Sequence, residues 1–255
     1  MLKLKLSLFF LILSVPIYIL AKENLLRIGG LDITAYNYGS IRIGPHQNQD
    51  TSATRFTNYY FDLSTWVSAS SNNLTFVSDG DVTTSKTRPD WTPFQKIKTD
   101  SCYLNDTVTI YKTVYRDDIA FERHQPLGIE IAQELYYLKN HDWTIIHLIV
   151  KNLNINNLKN LSIGLKLDAD VPDSDNIPTH NDDMVGYSDE FLYLYDYKLT
   201  KEKSNIIGLL PLGENIDFTF NWWDVDNEPS NDQIRLQLME TNKKDLPDKV
   251  NDYRI

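Results

Sequence analysis

Cysteine is nearly absent from this 255-residue chain, which contains a single one, Cys102. One cysteine cannot form an intramolecular disulfide, so the fold must be stabilised by its core. A chain of this length buries enough apolar surface for that purpose. Cys102 has no flanking His or Lys that would activate a thiol, so we interpret it as a small residue in or beside a strand.

Positive charge is also scarce, because 25 Lys and Arg residues stand against 35 Asp and Glu, for a formal net charge of −10. Proteins that bind nucleic acid neutralise its phosphates with clustered basic side chains. The charge therefore argues against nucleic acid as a partner. It suits a protein that holds divalent cations, and equally one that is acidic for solubility alone.

Long apolar runs are missing after the first one, Leu6–Leu20, which follows Lys3 and Lys5. A short apolar run behind positive charges is the layout of a secretory signal peptide, and it is shorter than the roughly 20 residues of a membrane-spanning helix. We therefore predict a signal peptide over residues 1–21, cleaved after Ala21, and no transmembrane span afterwards. The mature protein is expected to be secreted, or to lie at the cell surface or in the periplasm.

Alternation of apolar and polar residues dominates the chain from Leu25 to Trp222. This period of two, together with 15 tyrosines and five tryptophans, is typical of half-buried strands. Clear strand candidates are Thr107–Tyr115, Leu127–Leu138, Trp143–Lys151, Leu161–Val171, Ile206–Leu210 and Ile216–Trp222. A convincing helical pattern occurs only at Asp232–Glu240. We predict an all-β fold, mainly an antiparallel β-sandwich with one short C-terminal helix. Its single domain covers residues 22–240, and a charged flexible tail follows over residues 241–255.

The best-defined pair of predicted strands is Trp143–Asn152 and Lys159–Asp168, which an asparagine-rich segment separates. Alternation in the second strand places its leucines and its isoleucine on one face. We predict that the two strands form an antiparallel hairpin with one buried face. The core residues expected from this pair are Leu161, Ile163, Leu165, Ile145 and Ile149.

Several short motifs follow one another along the chain. They are Leu31–Gly39, Tyr60–Val67, Val77–Gly80, Pro126–Ile131, Val150–Asn152, Leu167–Val171, Asp182–Tyr187 and Asn231–Met239. In this order they resemble an uncharacterised β-rich segment found in large secreted proteins of environmental bacteria, often proteins exported by type IX secretion. The resemblance covers residues 31–239 and implies a β-sandwich on the cell exterior, with no established activity.

Carboxylates are concentrated in the segment that begins at the end of the Lys159–Asp168 strand. Calcium takes about six to eight oxygen ligands from carboxylates, amides and backbone carbonyls. Asp168 and Asp170 project to the same side of a continuing strand. We expect a returning loop to bring Asp182 and Asp183 near them. We predict a calcium site here, with a solvated acidic loop as the alternative. The predicted ligands are Asp168, Asp170, Asp173, Asp182 and Asp183.

A second cluster, Asn221–Pro229, contains two adjacent tryptophans and alternating acidic residues. Adjacent residues of an extended strand face opposite sides, so one indole is expected to be buried while the other is free to stack on a sugar ring. The alternative is that both indoles pack inside the protein, because tryptophan is mostly a core residue. The predicted ligand-binding residues are Trp222, Trp223, Asp224 and Asp226.

The sequence contains no nucleophile elbow, zinc-binding helix, phosphate loop or dinucleotide fingerprint. We therefore predict a non-catalytic module of the cell exterior, stabilised by calcium, that makes binding, structural or adhesive contacts. Its partner is expected to be a glycan or an extracellular or envelope protein. The alternative is a secreted hydrolase that acts on polysaccharide through paired carboxylates. Candidates for such a pair are Glu130, Glu134, Asp168 and Asp224.

Overall fold

The computed structural model describes residues 7–13, 26–28, 31–35, 39–45, 60–71, 74–80, 90–93, 108–117, 125–138, 143–171, 183–188, 191–196, 206–213, 217–243, 245–249 and 251–255. These residues form two eight-stranded sheets and one α-helix of nine residues. Neighbouring strands pair antiparallel. The predicted all-β fold with one short C-terminal helix is confirmed. Within the described part of the chain, no helix has the length and apolar character needed to cross a membrane.

The elements are, in chain order, β1 (Ser7–Leu13), β2 (Leu26–Ile28), β3 (Leu31–Ala35), β4 (Ser40–Pro45), β5 (Tyr60–Ser71), β6 (Leu74–Asp79), β7 (Thr92–Pro93), β8 (Val108–Arg116), β9 (Ile129–Leu138), β10 (Trp143–Asn152), β11 (Lys159–Asp170), β12 (Asp183–Tyr187), β13 (Leu192–Asp196), β14 (Ile206–Leu212), β15 (Trp223–Asp224), a 3₁₀ turn (Val225–Asn227), α1 (Asp232–Glu240) and β16 (Tyr253–Arg254). The first sheet has the strand order β12-β13-β14-β1-β10-β9-β8-β7. The second has the order β15-β16-β11-β5-β4-β3-β2, and β6 pairs with the second half of β5.

The core lies between the two sheets, because alternate side chains of each strand point inward. In β9, Ile129, Ile131, Gln133 and Leu135 are buried, whereas the residues that alternate with them are half-buried. The second sheet contributes Ile41, Leu63, Val67, Leu167 and Ala169 to the same core.

The strands β10 and β11 do not form a hairpin, so that prediction is wrong. β10 pairs with β9 and β1 in the first sheet, whereas β11 pairs with β5 and β16 in the second. Their connection crosses between the sheets, fixed by bonds from Leu153 N to Gly128 O (2.8 Å) and from Asn154 Nδ2 to Leu127 O (2.6 Å). Alternation identifies a strand and its two faces, but it does not identify the neighbouring strand.

The inward face predicted for β10 is also wrong. The buried residues of this strand are Thr144, Ile146, Leu148 and Val150. Ile145 and Ile149 alternate with them and are half-buried on the outer face of the first sheet. Both faces of β10 carry isoleucine, so the periodicity alone cannot choose between them. In β11, the predicted residues Leu161, Ile163 and Leu165 do pack against the core.

A buried polar network joins the two sheets near the centre of the core. The Tyr115 hydroxyl donates to Gln133 Oε1 at 3.0 Å and lies 3.2 Å from Thr65 Oγ1. Trp91 Nε1 donates to Thr65 O at 3.0 Å, and its ring packs edge-on against Tyr115. Gly39 has a φ of +82°, and a Cβ there would lie 2.9 Å from the Trp91 ring. The network therefore requires glycine at this position.

The N-terminal strand β1 lies inside the first sheet, paired with β10 on one side and β14 on the other. It falls within residues 1–21, where the sequence predicts a signal peptide. A chain cleaved after Ala21 lacks β1, and β10 and β14 then lose the strand that joins them. The strand favours a retained N-terminus and the apolar run favours export, so the signal peptide stays a prediction.

The end of the chain belongs to the second sheet. β16 lies between β15 and β11, and both Tyr253 and Ile255 are buried. The prediction of a flexible tail over residues 241–255 does not hold for residues 251–255. Two buried residues separated by one position give too short an alternation to identify a strand from sequence.

Candidate binding slot

Helix α1 is held against the outer face of the second sheet by its first two turns. Asn231 caps the helix, and its side chain accepts a hydrogen bond from a first-turn N–H at 3.0 Å. Asp232 Oδ2 accepts a hydrogen bond from Val77 N of β6 at 3.2 Å. Arg235 Nε lies 3.3 Å from Asp79 Oδ2. These polar contacts fix the position of the helix on the sheet.

A small second core fills the space between α1 and this sheet. Trp66 and Trp223 stack with their ring centres 5.8 Å apart, and the Arg235 guanidinium lies 5.8 Å from the Trp66 ring. Leu236, Leu238 and Met239 of the helix pack on the same cluster. The C-terminal end of α1 therefore lies over β11 and the start of β15.

In the second sheet, the short strand β16 lies between β11 and the short strand β15. Arg254 of β16 lies opposite Asp168 of β11 on one side and opposite Trp223 of β15 on the other. The pairing with β11 continues to Ile255, which exchanges two backbone hydrogen bonds with Leu167 (2.6 and 3.0 Å). β11 continues from this pair back to Lys159.

A cavity of about 380 Å³, hereafter the slot, lies beside Ile255 and the first half of β11. Its two long walls are Leu161–Lys166 of β11 and the segment Asp217–Asn221, and Ile255 closes one end. Further lining residues from the first sheet and from the region of α1 are Leu192, Leu209, Pro211, Trp66, Trp223, Leu238, Met239 and Glu240.

Backbone groups of β11 point into the slot. In an antiparallel strand the N–H and C=O of one residue point to the same edge, and those of the next residue point to the other edge. Leu167 exchanges both bonds with Ile255, so the backbone groups of Leu165 and Ile163 face the same edge. In the described part of the chain, no strand pairs with β11 at these two residues on that edge.

On the opposite wall, the backbone groups of Phe220 are bonded to the segment that follows α1. Its carbonyl accepts from Lys243 N and its N–H donates to Asn242 Oδ1, each at 2.8 Å. The sequence predicts Ile216–Trp222 as a strand, but in the structure its described residues carry no strand pairing and only Trp223–Asp224 is ladder-paired.

A cluster of five charged side chains lies beside the Ile255 end of the slot. Arg254 pairs with Asp168 Oδ2 at 3.2 Å and with Asp252 Oδ1. Lys166 pairs with Glu228 Oε1, and the other Glu228 oxygen lies 3.8 Å from Arg254 Nε. The cluster contains two cations and three carboxylates, so its formal charge is −1 when every group is ionised.

Two members of this cluster, Asp168 and Arg254, have shifted pKa values. Burial raises the pKa of Asp168 from 3.8 to about 7, although the charges of Arg254 and Lys166 lower it. Burial lowers the pKa of Arg254, but Asp168 and Asp252 raise it overall. The Asp168 carboxyl holds its proton more strongly than an exposed aspartate does mainly because burial disfavours its charged form, and the carboxylates of Asp252 and Glu228 add to this effect.

Of the five predicted calcium ligands, Asp173 and Asp182 lie outside the described residues, and only the backbone of Asp170 is described. Asp168 belongs to the charged cluster, where Arg254 already faces its carboxylate. Within the described ranges, no three His, Cys, Asp or Glu side chains are grouped so as to hold a metal ion. The calcium site stays a prediction.

Asp183, the fifth predicted ligand, is completely buried. Its Oδ1 accepts a hydrogen bond from Val171 N at 3.3 Å, and its carbonyl accepts one from Asn251 N at 3.2 Å. Asp183 thus joins the edge of the first sheet to the segments around β11 and β16.

The two tryptophans predicted to bind sugar lie on different sides of their segment, as the alternation predicts. Trp223 is buried against Trp66. Trp222 is half-buried, its Nε1 donates to Asp245 O at 2.8 Å, and Tyr253 packs edge-on against it. Lys243 Nζ lies 3.3 Å from the centre of the Trp222 ring, so a cation already covers one face of this indole.

The two acidic residues predicted beside them have different environments. Asp224 caps the 3₁₀ turn, because its Oδ1 accepts hydrogen bonds from Asn227 N (3.1 Å) and Asn227 Nδ2 (2.6 Å). Asp226 is exposed. The segment therefore brings the four predicted residues together along the chain, but it does not direct them at one ligand.

The carboxylates proposed for a hydrolase are bound by neighbouring side chains. Glu130 accepts hydrogen bonds from Arg116 (2.5 and 2.7 Å) and lies 3.4 Å from Lys151 Nζ. Glu134 accepts bonds from Lys112 (2.7 Å) and the Tyr136 hydroxyl (2.9 Å). Partial burial raises the pKa of each glutamate, but these donors lower both overall. Neither is suited to be a general acid.

Sequence reasoning missed the slot. Phe218 and Phe220 alternate ahead of the two tryptophans, and both line the slot. Their segment lies opposite β11 across the slot. This position depends on strand order, which alternation does not contain.

Comparisons with protein-family models, with curated proteins and with solved structures found no significant match to this chain. The resemblance over residues 31–239 therefore stays a prediction. Function has to be argued from the site itself.

Proposed function

We propose that this protein is an exported, non-catalytic binding module of the cell exterior, and that the slot is its binding site. The observation that carries the proposal is the slot itself, a cavity lined largely by apolar side chains of β11, of residues 217–221 and of the first sheet. Concave, largely apolar sites with a few directed polar groups are the usual form of binding sites. Export rests on the signal-peptide pattern of residues 1–21, and calcium would act separately, by holding the acidic segment.

An extracellular or envelope protein fits this site better than a glycan. Sugars are bound by exposed aromatic faces beside free polar groups. Here Trp223 is buried and Lys243 covers one face of Trp222. The slot instead offers aliphatic and aromatic walls, which match apolar side chains of a polypeptide.

One observation favours the alternative, a polysaccharide hydrolase. The pKa of Asp168 is raised to about 7, which is the property of a general acid. Its ion pair with Arg254 accounts for the same carboxyl as part of a structural cluster. Turnover in a polysaccharide screen, abolished by Asp168→Asn, would replace the binding proposal by this one.

Site-specific photo-crosslinking in the producing cell tests the proposed function. A benzoylphenylalanine at Asp217, an exposed residue in the wall of the slot, is compared with one at Ile155, which is fully exposed on the connection between the sheets. We expect discrete adducts from Asp217 that the Ile155 protein does not give. The same adducts from both positions, or none from Asp217, would reject the slot as the binding site.

A further inference from the structure

We propose that Trp222, Asp224 and Asp245 form a binding site for the quaternary ammonium group of a choline-type molecule. In the structure, the Lys243 side chain occupies this site as an internal ligand. The site goes beyond the proposed function and does not depend on the slot.

Contacts other than that with Lys243 hold the Trp222 indole in place. Its Nε1 donates to Asp245 O at 2.8 Å, and Tyr253 packs edge-on against the ring, with the ring centres 5.3 Å apart. Tyr253 is itself buried, and its hydroxyl donates to Lys249 O at 2.8 Å. The indole therefore keeps its orientation when the Lys243 side chain leaves, so its face is a preorganised surface.

The groups around Lys243 Nζ define the chemistry that the site accepts. Nζ lies 3.3 Å from the centre of the Trp222 ring and donates to Trp222 O at 3.2 Å. The carboxylates of Asp224 and Asp245 are near enough to raise the pKa of Lys243. An aromatic face, a carbonyl and two carboxylates all attract a cation. The same groups repel an anion and give no comparable attraction to a neutral ligand.

A quaternary ammonium group suits this site better than a primary one. Burial lowers the pKa of Lys243 more than Asp224 and Asp245 raise it, because a primary ammonium is strongly hydrated in water. A quaternary ammonium has no N–H to desolvate and no proton to lose, and aromatic faces commonly bind it. Such a ligand keeps the charge of lysine at a smaller cost of desolvation.

Lys243 can leave the ring without a change of fold. The residue is exposed, and its backbone is held independently of its side chain, because Lys243 N donates to Phe220 O at 2.8 Å. Rotation of the flexible side chain opens the face of Trp222. A ligand of the wild-type protein binds only when the ring is open, so its apparent affinity is reduced by the fraction of molecules in that state.

Titration with choline tests the site, followed by NMR through the indole N–H signal of Trp222 and the methyl signal of choline. Lys243→Ala vacates the ring. The matched control, Lys249→Ala, removes the same charge from another exposed lysine of this segment. The control ligand is the uncharged analogue in which carbon replaces the nitrogen of choline.

If Lys243 covers the ring in about nine molecules of ten, Lys243→Ala should bind choline about tenfold more tightly than the wild type. Lys249→Ala should bind choline as the wild type does. The uncharged analogue should bind to the Lys243→Ala protein about tenfold more weakly than choline, because it lacks the cation.

Two second-site variants in the Lys243→Ala protein test the ligating groups. Trp222→Leu should abolish choline binding, because it removes the aromatic face. Asp224→Asn tests the site even if loss of the indole unfolds the protein. Asn keeps the oxygen that caps the 3₁₀ turn and loses only the charge, so choline binding should weaken severalfold.

Vesicles of phosphatidylcholine identify the source of the ammonium group. Co-sedimentation of the Lys243→Ala protein that free choline competes away supports a lipid headgroup, and choline binding without co-sedimentation supports a free small molecule. Equal choline affinity of Lys243→Ala and the wild type would overturn the role of Lys243 as an internal ligand. Absence of choline binding by Lys243→Ala, or equal binding of choline and its uncharged analogue, would overturn the site.

Discussion

Replacing Asp168 by Asn tests whether burial in the charged cluster beside the slot raises the pKa of the Asp168 carboxyl. Its two cations, Lys166 and Arg254, face three carboxylates, and burial raises the pKa of Asp168 to about 7. The amide of Asn has the shape of the carboxyl but no charge. Asp168→Asn therefore leaves two cations and two carboxylates in the cluster, which is neutral while these four groups are ionised.

The sign of the effect follows from the direction of the pKa shift. The folded protein holds the Asp168 proton more strongly than the unfolded chain, whose reference pKa is 3.8. The resulting stabilisation is fully present below pH 3.8, decreases as the pH rises, and is lost above pH 7. Between pH 5 and pH 7 this group should lower the free energy of unfolding by about 2 kcal/mol.

The measurement is denaturant unfolding of both proteins from pH 5 to 7.5, followed by tryptophan fluorescence. We expect Asp168→Asn to gain about 2 kcal/mol on the wild type across this range, whatever the difference between them at pH 5. The difference between the curves removes the contributions of other titrating groups. Asp226→Asn, at an exposed carboxylate nearby, should give a curve parallel to that of the wild type. A parallel curve for Asp168→Asn would refute the raised pKa of Asp168.

Three further predictions concern the core, the metal and the N-terminus. Tyr115→Phe should lower the free energy of unfolding by about 1 to 2 kcal/mol, because the buried acceptor of Gln133 loses its donor. Tyr136→Phe, which removes a hydroxyl from the partly exposed outer face, should cost less, and equal costs would contradict the role of the network. If calcium holds the acidic segment, the melting temperature should rise with free calcium and fall with chelator, and an unchanged melt with no metal in the native protein would reject the site. Intact-mass measurement on protein from the producing cell should give a start near Lys22, whereas a retained Met1 would reject export.

The sequence predicts individual elements well where the pattern is long. β9 and β10 were expected at Leu127–Leu138 and Trp143–Lys151, and the structure has them at Ile129–Leu138 and Trp143–Asn152. The helix Asp232–Glu240 matches at both ends, because a capping Asn precedes its apolar spacing. Strand propensity and capping are local properties, so a single sequence contains them.

Pairing is a different kind of information. Ile145 and Ile149 have the same alternation as Ile146 and Leu148, and only the position of β10 within the first sheet decides which set is buried. The predicted hairpin is wrong for the same reason, since β10 and β11 follow one another along the chain but lie in different sheets. The charged cluster also depends on pairing, because β16 brings Arg254 to Asp168 across 86 positions of sequence.

One wall of the slot combines a strand-like sequence pattern with the absence of a paired strand among the described residues. Residues Ile216–Trp222 have a strand pattern, and in a finished sheet such a segment pairs on both edges or lies at an exposed edge with polar side chains. Here Phe218 and Phe220 are half-buried in the wall of the slot, and β11 presents Leu165 and Ile163 from the other side. Leaving an apolar cavity of this kind in contact with water is unfavourable, because its walls expose apolar surface. In the proposed binding module, a partner that covers the slot removes this surface from water, and the affinity comes mainly from that burial.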